Sequence, residues 1–246
     1  MSEPQTFWEH LDVLRGSLLR CLAVAAVCAV VAFVLKDTLF AVILAPRTGD
    51  FITYRLLGIE PFSLQLMNTG LTEQLMIHLR VAGYAGLLAA SPYILYELFR
   101  FISPGLYASE RRYTVGIVGA AYAMFLLGTL LNYLMIFPIT VRFLGTYQVS
   151  PDVANMLTLQ SYVDTFIGMS LVMGVVFELP VLCGLLARMH LLSHQLMLRY
   201  RRHAIVAILI VAAIITPTTD IFTLFVVALP IWLLYELSIW IVRIEN

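Results

Sequence analysis

The sequence predicts an all-α polytopic membrane protein: one integral membrane domain over residues 1–246, six transmembrane helices with the last two short, both termini cytoplasmic, and a concave bundle with an outer cap. Two observations carry that reading. Hydrophobic residues make up 61% of the chain and charged residues 12%, with a mean hydropathy of +0.91, more apolar surface than a soluble domain of this length can bury. The apolar residues also gather into six segments, near 17–37, 73–98, 114–138, 160–187, 204–217 and 221–241, against the roughly 20 residues that cross a hydrocarbon core about 30 Å thick. A formal net charge of zero excludes a broad electrostatic footprint for nucleic acid.

Taken in order, the leading residues are acidic through Glu3, Glu9 and Asp12, and the run Leu18–Leu35 is long for the apolar region of a secretory signal. The first helix is therefore expected to be retained. Residues 38 to 72, with Ala45-Pro46, Gly49-Asp50-Phe51 and Glu60-Pro61-Phe62, are too many for a minimal turn and too apolar for a floppy one. Short helices packed on the membrane surface are expected there. The second span opens with Glu73, His78 and Arg80, read as interface groups, and closes on Pro92-Tyr-Ile-Leu-Tyr96-Glu97-Leu98. That ending has a near-copy at Pro230-Ile-Trp-Leu-Leu-Tyr235-Glu236-Leu237. An aromatic belt at the cytoplasmic interface accounts for both, whereas the inverted repeat of a transporter would need opposed topology.

A second outer loop, residues 139 to 159, is expected to cover the bundle before the fourth span, which carries Asp164 and Glu178. The fifth segment, 204–217, has only 14 residues, worth about 21 Å at about 1.5 Å per residue. Either the bilayer thins there or the last pair is re-entrant. Cys21, Cys28 and Cys183 lie in apolar stretches without CxxC spacing and read as small buried hydrophobes. With the N-terminus inside, ten basic residues fall on cytoplasmic segments and four outside, the latter being Lys36, Arg47, Arg55 and Arg142. That bias places both termini in the cytoplasm.

Among the polar residues, Glu178 in Phe177-Glu178-Leu179-Pro180 stands out, because a carboxyl within a span costs roughly 2.5–3.5 kcal/mol on insertion scales. Two readings fit it, a functional polar site and a structural interhelix hydrogen bond. Pro180 is expected to kink the helix beside it. Asp220 suits a cap on the last helix. His190 and His194 are four apart, the spacing of a metal pair on a helix face, but no acidic third ligand or HExxH pattern accompanies them. The sequence has no P-loop, GxSxG or Ser-Lys arrangement and no catalytic constellation, and neither an enzyme nor a cofactor is expected. The break Phe101-Ile-Ser-Pro104-Gly-Leu-Tyr-Ala-Ser-Glu110-Arg111-Arg112 is richer than a minimal membrane loop. It reads either as an orienting connector or as a binding surface.

Four motifs in register resemble one family. The N-terminal Phe7-Trp8-Glu9-His10-Leu11-Asp12-Val13-Leu14-Arg15, the loop from Phe101 to Arg112, Phe177–Pro180 and Thr216-Pro217-Thr218-Thr219-Asp220 are similar to TatC, the multispanning core of the twin-arginine protein translocase. The resemblance implies a receptor for signal peptides carrying paired arginines on folded cargo. It implies work with the single-span partners TatA and TatB in a bacterial-type inner membrane, oligomerisation within a receptor complex, and the proton-motive force as driver. By the same resemblance, Glu110 is the loop carboxylate that meets the arginines, Phe101 and Pro104 shape its surface, and Glu9, Asp12 and Arg15 complete the site. Pro46, Glu178 and Asp220 fall at other positions where the family is sensitive. The chain departs from the family's usual HLxELR by carrying Val13 at the Glu position, with Asp12 one residue earlier and turned by about 100° on a helix.

Physical chemistry is consistent with that role, since carboxylates at a membrane interface bind guanidinium forks in bidentate geometry. Each such bond contributes about 1.5–3 kcal/mol when partly shielded. A proton-coupled secondary transporter with Glu178 as relay is the competing reading. The short fifth segment, the missing inverted repeat and the polar weight at the cytoplasmic face count against it.

Overall fold

The computed structural model describes residues 7–59, 62–102, 114–147, 150, 156–216 and 220–245, and the chain is mostly helical. The helices among these residues are α1 Phe7–Val34, α2 Lys36–Leu44, α3 Ile52–Leu56, α4 Glu73–Ile102, α5 Thr114–Leu131, α6 Phe137–Thr146, α7 Leu159–Val176, α8 Leu179–Arg188, α9 His194–Ile215 and α10 Ile221–Glu245. A π turn, Asn132–Ile136, joins α5 to α6, and two short strands, β1 Leu66–Met67 and β2 Leu157–Thr158, pair in parallel. Among the described residues four stretches, Leu11–Val34, Gly116–Thr146, Leu159–Arg188 and Ile221–Ile244, are long and apolar enough to cross a membrane. The chain is thus a membrane protein with several apolar helices.

Two compact units form, Met1–Leu39 with His78–Tyr122 and Phe40–Ile77 with Ala123–Asn246. In the first, α1 and α4 run antiparallel. Near one end His78 stacks on Phe33 at 3.9 Å, and its Nε2 lies 3.0 Å from the Phe33 carbonyl. Midway, Gly86 lets the helices touch, because a Cβ there would stand 2.5 Å from the Ala29 nitrogen, and small residues are what permit such approach between membrane helices. Among the described residues little else covers α1: only 6% of its apolar window is buried, and Leu18, Leu22, Val27 and Val30 are exposed. A helix satisfies its backbone internally, so such a face suits lipid.

The second unit is built on α5, α6 and α7. Gly128 lies against the Met173 carbonyl, where a Cβ would be 2.6 Å away, and Gly174 lies under Phe125. Asn132 in the π turn donates to Ser170 at 2.7 Å, both residues wholly buried. The segment after α2 folds onto this frame through hydroxyl groups that meet free carbonyls. Tyr54 OH lies 2.9 Å from the carbonyls of both Pro46 and Pro138. Tyr162 OH donates to Ile43 at 2.9 Å, Tyr133 OH to Val42 at 2.8 Å, and the Thr53 hydroxyl to Leu134. Burial pushes the Tyr54 phenol well above its ordinary value, so the group is a protonated donor at any physiological pH.

At the other end of this unit Ala187, Met197, Ile239 and Val242 form a buried apolar cluster joining α8, α9 and α10. Two expectations change here. The last two helices are not short: α9 has 22 residues and α10 has 25, and Ser193 caps α9 by accepting from the Leu196 N–H at 3.3 Å. The helix continues ten residues ahead of its apolar run because Arg199, Arg201 and Arg202 occupy exposed positions without breaking it. His190 and His194 do not share a helix face either. His190 terminates α8 with φ of 56°, a left-handed helix end, and His194 begins α9.

Candidate functional site

The sequence-predicted signal-peptide residues that can be located sit at one end of the α1–α4 pair. Asp12 and Arg15 are exposed on α1, three residues apart and so on neighbouring positions of one face. Glu9 lies on the same helix, its side chain outside the description. Phe101 is partly buried on the last turn of α4. Pro104 and Glu110 fall outside the described residues.

Close to this end the structure reveals a group that the sequence reading passed over. Glu97 on α4 is 3% exposed and accepts from Arg20 on α1 at 2.9 Å. Tyr93 OH donates to its other oxygen at 3.2 Å, and Arg100 approaches to 3.7 Å. Arg20 also donates to Ser17 at 3.0 Å, so one guanidinium ties the Ser17 hydroxyl to a buried carboxylate. The signal was present in Tyr96-Glu97-Leu98, where the aromatic belt drew attention from the Glu. Its partner copy behaves alike: Arg201 Nη2 of α9 meets Glu236 of α10 at 2.6 Å.

Glu178 stands in the two-residue break between α7 and α8, buried, with Oε1 lacking a hydrogen-bond partner among the described residues. Pro180 in the first turn of α8 explains the break, since it returns no N–H to the preceding turn. Pro46 is buried in a 3₁₀ turn, its carbonyl one of the two that meet Tyr54. Asp220 accepts from the Thr223 N–H at 2.8 Å and from the Thr223 hydroxyl, an N-cap for α10. Glu73 turns back on the approach to α4, accepting from Gly70 N at 2.7 Å and Thr69 N at 2.9 Å.

The model of the family described as Sec-independent protein translocase protein (TatC) matches residues 9–230. This chain belongs to the TatC family. A relative from Blattabacterium, named Sec-independent protein translocase protein TatC, is 32% identical over 96% of this chain and 94% of its own length. Its namesake in Deinococcus radiodurans is 35% identical over 96% of this chain and 85% of its own length. A crystal structure of a twin arginine translocase receptor, TatC, matches with a TM-score of 0.81 at 27% identity, covering 96% of this chain and 99% of that one. The TatC match spans the candidate positions from Glu9 to Asp220, and membership makes the chain a component of Sec-independent protein transport.

Proposed function

We propose that this chain is the receptor and assembly subunit of a twin-arginine translocase. It recognises the paired arginines of signal peptides on folded cargo and scaffolds the translocation site with TatA and TatB, within an oligomeric complex of a bacterial-type inner membrane. Transport is driven by the proton-motive force, and the subunit performs no chemistry of its own and uses no cofactor. It spans the membrane six times with both ends cytoplasmic, as one integral domain. The observation that carries this reading is the match along nearly the whole chain to a solved twin arginine translocase receptor, together with the loop Phe101–Arg112 that holds Glu110.

In this reading Glu110 takes the arginine forks, Phe101 and Pro104 shape the surface, and Glu9, Asp12 and Arg15 flank it. The Arg20–Glu97 clasp holds α1 against α4 behind these residues, so that the N-terminal carboxylates keep their place. Glu178 supplies a carboxyl without a described partner for a polar group on the signal or on a partner helix. Pro46 and Asp220 act by shaping the turn after α2 and the start of α10. The family match supports protein transport over the proton-coupled secondary transporter.

Photocrosslinking from position 110 in inside-out vesicles tests the site, comparing a signal peptide bearing RR with one bearing KK. Crosslinks that appear with RR, fade with KK and vanish in Glu110→Arg are expected. Equal labelling by both peptides would remove the loop from the site.

A further inference from the structure

Beside the residues discussed so far, the second unit holds a groove of about 460 Å³ whose walls include Tyr54, Leu57, Ile139, Phe143 and Phe222, with Arg142 as its charged group. Its volume lies within the range of small-molecule sites, roughly 300–1,000 Å³. The walls are set firmly: Tyr54 is wholly buried and held by two carbonyls, and the rings of Phe143 and Phe222 lie 4.6 Å apart. The Arg142 guanidinium stands 6.0 Å over the Phe62 ring and makes no ion pair with a described residue. Among the described residues, no carboxylate lines the groove.

The position of the groove is equally specific. Arg142 lies four residues before the end of the membrane-length stretch Gly116–Thr146, and Phe222 is the second residue of Ile221–Ile244. Ends of such helices lie at the boundary between hydrocarbon and headgroups, where aromatic rings and arginines gather. An apolar trough with one cation at this depth matches a molecule that is apolar along one part and anionic at the other. We propose that the groove is a binding site for an anionic glycerophospholipid, its phosphate on Arg142 and an acyl chain between Phe143, Phe222 and the aliphatic wall. With Arg142 as the charged group and no carboxylate among its described lining residues to receive an ammonium, the site favours an anionic over a zwitterionic headgroup. The proposal does not depend on signal-peptide recognition.

The test uses the full purified chain in detergent micelles, with phosphatidylglycerol carrying a photoactivatable acyl chain and the labelled residues mapped by mass spectrometry. Labelling is expected within 139–146 and at 222, falling about tenfold in Arg142→Gln, the effect of about 1.4 kcal/mol in affinity, and retained in Arg142→Lys. Ile139→Trp, which fills the trough while keeping the charge, is expected to abolish labelling, with circular dichroism of each variant as the control for folding. The matching phosphatidylcholine probe is expected to label less. Equal labelling of wild type and Arg142→Gln would overturn the proposal. So would full competition by inorganic phosphate, which would mean a plain anion site, or crosslinking of a photoreactive residue at 222 to a polypeptide in membranes in place of lipid.

Discussion

The two compact units each close on an arginine of one helix and a glutamate of another, set in a Tyr-Glu-Leu sequence, yet the surroundings differ. Glu97 is 3% exposed and has Tyr93 as a further donor, whereas Glu236 is 27% exposed and accepts from Arg201 at 2.7 Å and 2.6 Å. The first clasp fastens a helix that is otherwise nearly bare, for α1 buries 6% of its apolar window. The second sits beside the apolar cluster of Ala187, Met197, Ile239 and Val242 and the bond from Tyr235 OH to the Met197 carbonyl at 2.9 Å. The same pair of side chains is therefore a principal fastening in one unit and an accessory in the other.

That difference can be broken most forcefully at Arg20. Arg20→Ala leaves a buried carboxylate without its main donor and is expected to lower the thermal midpoint of the detergent-solubilised protein by about 5 °C. Adding Glu97→Gln should recover part of the loss, because a neutral amide tolerates burial better. If Arg20→Ala leaves the midpoint unchanged, the clasp is not a fastening. Gly86→Val comes next: its branched side chain meets the Ala29 backbone, and overpacking of this kind costs about 1–3 kcal/mol. Loss of a disulfide engineered between α1 and α4 would report the separation. The smallest effect belongs to Arg201→Ala, under about 1 kcal/mol because the pair is half exposed and well supported. A larger loss there than at Arg20 would reverse the comparison.

Helical class and four of the apolar segments, near 17–37, 114–138, 160–187 and 221–241, were legible because long apolar runs leave few alternatives once water is removed. Asp220 and Pro180 were legible as well, since a cap and a helix break depend on local residue type. What escaped depends on contacts distant in sequence. The Tyr54, Tyr133 and Tyr162 hydroxyls meet carbonyls 8 to 119 residues away, and nothing near those tyrosines announces it. The β1–β2 pair has two residues in each strand and no periodicity to detect. The start of α9 was hidden because arginines on an exposed face ended the apolar run without ending the helix. Glu97 and Glu236 were visible as letters, but their partners, 77 and 35 residues away, were not.

The Arg20–Glu97 clasp also has a consequence for biogenesis. An apolar helix such as α1 is stable in a bilayer by itself and can enter before its neighbour exists, with association following as a second stage. Glu97 lies 77 residues further along the chain, which at about 5–20 residues per second is a delay of about 4–15 s during synthesis. Throughout that interval Arg20 lacks its Glu97 partner and can snorkel its guanidinium to the nearest water. Assembly of the first unit is thus timed by the ribosome: α1 waits in the lipid, and the arrival of Glu97 is the event that locks it.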